Sequence, residues 1–235
     1  MNSILKFFSV CIILSLLSCK EEVDDLDPQC ETGCTIINGS LMTDNGDAPI
    51  SDAKLTLKWD NIPYMGGGTV RRKAIGYTDS NGHFSLKFST KNDELENGSF
   101  YLTHELGPEY YVIPNERIHL NGISRDTVLQ CDYMVYRKAF INLKLLHFDE
   151  MHSGGGDHFM TDFTYDTPSG FRQSSGGMVM SWNQESPTEN LVDVPGNKTL
   201  YLKIFKRKNN ITTIAHDTLY VNAGQTLDYI IDFNN

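Results

Sequence analysis

The chain has 235 residues, with 30 acidic residues against 20 basic ones and a formal net charge of −10. Hydrophobic residues make up 40% of the chain and aromatic residues 11%, which excludes a disordered protein and is enough for folded cores. The acidic balance, with no basic stripe to neutralise phosphates, excludes a nucleic-acid-binding protein. The length is typical of one large or two small domains.

The first nineteen residues have the three parts of a secretory signal. Lys6 precedes an apolar run over residues 7–17, and Ser18 follows directly before Cys19. The run is shorter than the roughly 20 residues that span a bilayer. The Leu-Leu-Ser-Cys ending resembles a bacterial lipobox, which implies cleavage after Ser18 and lipidation of Cys19. An ordinary secretory signal with an incidental cysteine is the alternative.

The residues after Cys19 predict where the protein would reside. Over residues 19–33 the sequence is polar and acidic, which predicts a solvated tether because it buries little apolar surface. The Lys20-Glu21-Glu22 start resembles the surface-export signal of Bacteroidota-type lipoproteins. That resemblance implies an outer-membrane protein, lipid-anchored and facing the cell exterior, with a periplasmic location as the alternative. Removing residues 1–18, which contain one lysine and no acid, makes the net charge −11.

Three cysteines remain once Cys11 is removed with the signal and Cys19 carries lipid: Cys30, Cys34 and Cys131. Outside the cytoplasm a disulfide is permitted, but three thiols cannot all pair within one chain. The sequence is compatible with a Cys30–Cys34 bridge and with a Cys34–Cys131 bridge. A Cys-x3-Cys spacing without a second pair does not select zinc, so no metal or other cofactor is predicted.

Alternating apolar and polar residues recur from residue 35 onward and predict β-strands. Residues 53–59 and 83–88 alternate with period two, which places the apolar side chains of each segment on one face. The dipeptide Asn81-Gly82 favours a tight turn, and residues 91–97 predict one polar helical turn. The predicted fold class is all-β, with two tandem Greek-key or immunoglobulin-like β-sandwich domains after the signal peptide and the tether.

The first predicted domain, residues 34–135, has a family resemblance. The motifs that carry it, in chain order, are Ile37-Asn38-Gly39-Ser40-Leu41, Gly46-Asp47-Ala48-Pro49-Ile50-Ser51-Asp52-Ala53 and Thr78-Asp79-Ser80-Asn81-Gly82-His83-Phe84. Together they resemble the first half of a carboxypeptidase regulatory-like domain, which is a transthyretin-like sandwich. The resemblance implies an accessory role and no catalytic residues, because its motif residues form turns and core. Asp52, where the family often has glycine, and the insertion over residues 62–73 depart from the pattern.

Two further features of this domain are candidate ligand sites. Tyr110 and Tyr111 lie in a segment that contains glycine and proline, and exposed aromatic rings there would stack on a sugar or a partner protein. The alternative is that one ring packs inward. Asp44, Asp47 and Asp79 suggest calcium as an alternative to turn formation, but the full Asp-x-Asp-x-Asp-Gly loop is missing.

The second predicted β-sandwich domain covers residues 136–235 and contains the most chemically suggestive segment. Residues 147–158 combine three histidines with three acids. The sequence predicts a polar loop here, because its spacing is not that of a selective metal motif. Zinc or another transition metal is the alternative, and its candidate ligands are His147, His152, Asp157 and His158.

These features predict a lipid-anchored binding or accessory module without catalytic activity, because the chain contains no nucleophile elbow and no phosphate-binding loop motif. The predicted partners are the membrane, through the lipid on Cys19, and a glycan or a surface protein. The alternatives are a metal-binding protein or small enzyme that uses residues 147–158, and a subunit of a pilus-like assembly.

Overall fold

The computed structural model describes residues 21–62, 67–113, 116–167, 171–181 and 188–234. The fold class is all-β, as predicted. The first ten strands are β1 (Glu21–Asp24), β2 (Cys34–Thr43), β3 (Ala48–Pro49), β4 (Lys54–Asp60), β5 (Thr69–Tyr77), β6 (His83–Ser89), β7 (Ser99–Glu105), β8 (Tyr110–Tyr111), β9 (Ile118–Leu120) and β10 (Val128–Met134). The next eight are β11 (Tyr136–Leu146), β12 (His158–Asp166), β13 (Arg172–Gly176), β14 (Val179–Ser181), β15 (Glu189–Pro195), β16 (Lys198–Lys208), β17 (Ile211–Val221) and β18 (Thr226–Asp232).

A short helix, α1 (Asn92–Glu96), follows β6 and confirms the predicted polar helical turn. The N-terminus of this helix is capped by Glu94, whose carboxylate accepts the backbone N–H of Lys91 at 2.9 Å. No helix within the described residues is long and apolar enough to cross a membrane.

The chain forms two compact units. The first unit comprises the described residues up to Met42 together with 46–106 and 113–133, and the second unit comprises 43–45, 107–112 and the residues from Met134 onward. Each unit contains two sheets whose inward side chains share one core.

In the first unit, one sheet has the order β1-β5-β4-β7-β9, and the other has the order β10-β2-β3 with β6 paired to β2. Strand β6 confirms the predicted one-sided burial, whereas in β4 the predicted apolar face is buried and Thr56 and Asp60 on the opposite face are buried as well. The core residues are Ile37, Leu55, Leu57, Trp59, Ala74, Phe84, Leu86, Phe88, Phe100 and Leu102. The indole Nε1 of Trp59 donates to the carbonyl of Asn97 at 3.0 Å, so this buried ring leaves no polar atom unpaired.

The turn motifs of the first unit have direct structural roles. Asp79 accepts the backbone N–H groups of Asn81 and His83, both at 2.8 Å, and Gly82 adopts a φ of +76°. This confirms the predicted turn. At Gly39, a Cβ atom would lie 1.9 Å from the carbonyl oxygen of Cys131, so only glycine allows these two strands to approach.

In the second unit, one sheet has the order β15-β11-β18 with β8 paired to β11, and the other has the order β13-β12-β16-β17 with β14 paired to β12. Strands β12 and β16 alternate between buried and more exposed residues. Among the core residues are Ile141, Leu143, Phe159, Phe163, Tyr165, Leu200, Leu202 and Phe233. The more exposed side chains, which alternate with the buried ones along β12 and β16, face away from this core.

The predicted tether over residues 19–33 is wrong for residues 21–25. Strand β1 pairs in parallel with β5, from Glu21 opposite Thr69 to Asp24 opposite Arg72, and the N–H of Asp25 donates to the carbonyl of Arg72 at 3.0 Å. The physical reason is charge: the acidic residues that suggested solvation lie beside basic residues of β4 and β5. Strand β5 itself begins within the predicted insertion over residues 62–73.

Candidate functional site

The segment formed by β1 and Asp25, which we call the N-terminal clamp, is held by ion pairs to basic residues of the first unit. The Nε of Arg72 lies 2.5 Å from Asp24, and the Nζ of Lys58 lies 2.8 Å from Glu22. These two pairs are partly exposed and contribute little individually. Asp25 pairs with Lys91 at 2.9 Å and also with Lys73, and the Lys73 pair differs because that lysine is buried.

Lys73 has a fully buried side chain in the first unit. Its Nζ lies 2.6 Å from Asp25 and 3.0 Å from Glu94, whose side chain is also fully buried. Arg71 adds a second cation at 3.0 Å from Glu94. Burial acts to raise the pKa of Asp25, but hydrogen bonds from Lys73 and Lys91 outweigh it and leave that pKa lowered. The network therefore ties the clamp, β5 and α1 together.

The candidate residues Tyr110 and Tyr111 form β8 and are both half-buried. Tyr111 lies opposite Tyr136 of β11, and its ring meets the ring of Tyr165 edge-on at 5.9 Å. Its hydroxyl donates to the Oγ of Ser175 at 2.9 Å. Tyr111 therefore takes part in the packing of the second unit, as the alternative of an inward-packed ring expected, and ligand binding by either tyrosine stays a prediction.

The candidate metal ligands of residues 147–158 have separate structural roles. His147 pairs with Asp232 at 2.8 Å, and this hydrogen bond raises the pKa of the imidazole. Asp157 is buried and accepts the backbone N–H groups of His152 at 2.9 Å and Asn209 at 2.8 Å. The ring of His158 lies 5.9 Å from that of Phe205.

Among the residues that the structure describes, no group of three or more His, Cys, Asp or Glu side chains could hold a metal ion. This applies to the histidine-rich loop and also to Asp44, Asp47 and Asp79. The carboxylates of Asp79 and Asp157 are engaged with backbone amides instead, and such bonds are those of a turn-forming carboxylate.

Among the cysteines that the structure describes, Cys30 and Cys34 form a disulfide, and their Cα atoms are 5.9 Å apart. Of the two pairings that the sequence left open, the structure therefore contains the local one. Cys131 is free and half-buried, and burial raises the pKa of its thiol. The predicted lipidation site, Cys19, lies outside the described residues.

A surface that sequence reasoning missed lies on the second unit. We call it the open face: the solvent side of the sheet β13-β12-β16-β17, formed by Asp162, Thr164, Asp166, Arg172, Thr199, Tyr201, Lys203, His216, Thr218 and Tyr220. Two depressions of about 340 Å³ and 320 Å³ lie on it, and Tyr201 borders both. Tyr201 lies between them, and we call the two neighbouring depressions together the trough.

Of the two basic residues Arg172 and Lys203 on the open face, one forms an ion pair and the other does not. The Nε of Arg172 lies 3.0 Å from Asp166, and its guanidinium carbon lies 4.5 Å from the centre of the Tyr201 ring. The hydrogen bond from Arg172 is the largest cause of a lowered pKa at Asp166. Lys203, in contrast, forms no ion pair with any residue in the described part of the chain. Sequence alternation along β16 and β17 would have indicated which residues share this face.

Comparisons with known proteins find solved structures that resemble this chain only at low TM-score and low sequence identity. No protein-family model and no curated protein matches the chain. Among solved structures, it is similar to the Bacillus anthracis TIE protein (TM-score 0.33, 11% identity, covering 85% of this chain and 34% of that one). It is also similar to BcpA, the major pilin subunit of Bacillus cereus (0.29, 11%, 80% and 69%), and to the shaft pilin SpaA from Lactobacillus rhamnosus GG (0.30, 8%, 86% and 98%).

The chain thus spans about a third of the length of the TIE protein. At these TM-scores the likeness carries no argument about function. The regulatory-like resemblance of the first domain also stays a prediction, since no family model matches.

Proposed function

We propose that the protein is a lipid-anchored binding or accessory module without catalytic activity, attached to the outer membrane through Cys19 and facing the cell exterior. The observation that carries this proposal is the N-terminal clamp. A single residue, Lys20, separates the candidate lipidated cysteine from β1, which is paired within the first unit. The lipid would therefore hold a folded unit close to the membrane surface instead of at the end of a flexible tether.

Charge supports a covalent anchor over peripheral adhesion. A mature chain with a net charge of −11 is repelled by anionic membrane surfaces, so electrostatic attraction does not keep it there. A lipid chain supplies roughly 0.8 kcal/mol for each buried CH₂ group and needs no basic surface. Acidic surface charge also keeps an exterior-facing protein soluble.

Lipidation is tested by metabolic labelling with a palmitate analogue in cells that express the full chain. The wild type should carry the label and sediment with membranes, whereas Cys19→Ser should lose the label and become soluble. Cys131→Ser is the matched control, because it removes the free thiol and leaves the anchor unchanged. Label retained in Cys19→Ser, or missing from the wild type, would contradict the proposed anchor.

The exterior location needs a second experiment. Protease added to intact cells should digest the protein if it faces outward, with lysed cells as the positive control. Digestion in lysed cells alone would contradict an exterior location and leave an accessory protein that faces the periplasm.

A further inference from the structure

The open face differs from an ordinary solvated sheet surface in its combination of aromatic rings with a trough. A single exposed aromatic side chain is unremarkable on a protein surface. Here Tyr220 is 59% exposed and borders the same depression as Tyr201. Binding sites for small ligands are concave and combine apolar ring surface with a few placed polar groups, and the open face has both.

The register of β16 with β17 sets the length of the trough. Tyr220 lies opposite Thr199, Thr218 opposite Tyr201, and His216 opposite Lys203. Residues two apart along a strand are separated by roughly 6.7 Å, so the Tyr220 end and the Lys203 end lie about 13 Å apart. This span matches a short oligosaccharide better than a single small molecule.

The polar groups along the trough suit a sugar. The hydroxyls of Thr164, Thr199 and Thr218 donate and accept hydrogen bonds, and the ionised carboxylate of Asp166 accepts them. The ring of Tyr220 offers an apolar surface to the C–H side of a sugar ring, with a hydroxyl at its edge. Side chains of this kind orient a ligand whose hydroxyl groups alternate with apolar ring faces.

Charge complementarity identifies which kind of sugar fits. At one end, Arg172 is neutralised by Asp166. At the other end, Asp162 and Asp217 line the same depression as Lys203. Asp162 accepts the hydroxyl of Ser174, Asp217 accepts the hydroxyl of Tyr229 at 2.6 Å, and no described carboxylate lies within ion-pairing distance of the lysine. The ammonium of Lys203 is therefore available for an anionic ligand, with His216 beside it.

We propose that the open face binds an acidic oligosaccharide, with one sugar ring stacked on Tyr220 and a uronic-acid carboxylate paired to Lys203. This inference rests on the proposed binding function and adds a site and a ligand class to it. Tyr201 forms the floor between the two ends, and Arg172 covers that ring.

The test is isothermal titration of the full chain, purified in detergent, with an oligogalacturonate and with a neutral malto-oligosaccharide of equal length. Tyr220→Ala and Lys203→Gln should each weaken oligogalacturonate binding by roughly tenfold or more, since a stacked ring and a charge-assisted contact are both lost. Tyr77→Ala and Lys87→Gln are matched controls. Tyr77 is 60% exposed, Lys87 is exposed, and both lie in the first unit.

Each outcome decides the proposal. Saturable binding of the oligogalacturonate that falls in the two open-face variants and not in the controls supports it. Equal binding of the neutral sugar, with Lys203→Gln unchanged, overturns the acidic ligand. No binding by a folded chain, or loss only in Tyr77→Ala, overturns the site. Labelling at Cys19 and protease access are measured separately, so failure here leaves the proposed anchor and location to their own tests.

Discussion

In the first unit, Lys73 and Glu94 have fully buried side chains and contact each other at 3.0 Å, whereas Lys203 of the second unit lies exposed beside a trough. The residue types are similar, but their roles differ with burial. A buried lysine is committed to its carboxylates, because an unpaired charge there is costly. An exposed lysine beside ring surface remains available to a ligand. Burial and partner distances therefore separate structural charges from candidate binding charges in this chain.

The largest expected change in the free energy of unfolding comes from removing the buried lysine, Lys73. Lys73→Ala should destabilise the first unit by about 3 kcal/mol, the lower end for breaking a buried pair, because Glu94 loses its lysine but keeps Arg71 at 3.0 Å. Urea unfolding of the full chain measures the change, with Lys203→Ala as the control at about 0.5 kcal/mol or less. Equal effects of the two substitutions would remove the distinction between the buried and the exposed lysine.

The histidine-rich loop gives the next effect. Asp157→Ala should cost about 2–3 kcal/mol, because the backbone N–H groups of His152 and Asn209 lose their buried acceptor. His152→Ala, which removes an exposed side chain, should be nearly neutral. Thermal unfolding measures both variants. A rise in the wild-type melting temperature on adding zinc would instead favour metal binding by this loop.

The disulfide provides a somewhat smaller effect. Replacing both Cys30 and Cys34 with serine should destabilise the first unit by about 2 kcal/mol, the loop-closure value for so short a loop. Cys131→Ser is the control for loss of a thiol that is not in a bridge. A double variant as stable as the wild type would contradict the predicted constraint of the unfolded chain by this bridge.

The smallest effect is a pH dependence at an exposed pair. Asp232 raises the pKa of His147, so the folded state binds the proton more tightly than the unfolded chain. The contribution of the pair is fully present below the ordinary histidine pKa of about 6.5 and is lost as the pH rises through the raised value. NMR titration of the His147 ring should show this pKa fall in Asp232→Asn. An unchanged pKa would mean that the pair does not form in solution.

The sequence was sufficient for the fold class, because period-two alternation marks β-strands regardless of their partners. Leu55, Leu57 and Trp59 were predicted on one face and are all buried. Glycine and aspartate signals also identified the turn at residues 79–83, since those residue types suit positive φ angles and short side-chain bonds to the backbone.

What the sequence did not indicate depends on contacts between distant segments. The sequence predicted Glu22 and Asp24 to be solvated, because their partners, Lys58 and Arg72, are more than thirty residues away along the chain. The same holds for the open face, which combines residues of four strands into one trough. Local composition cannot distinguish a solvated acid from one that is paired across a sheet.

The most direct test of the account is hydrogen–deuterium exchange of the full chain at residues 22–25. We predict that the amides of the N-terminal clamp, including the N–H of Asp25, which donates to Arg72, exchange slowly, as those of β5 do, and that Lys73→Ala accelerates them. Exchange at the rate of an unstructured peptide in the wild type would contradict the clamp and restore a flexible acidic tether between Cys19 and the first unit.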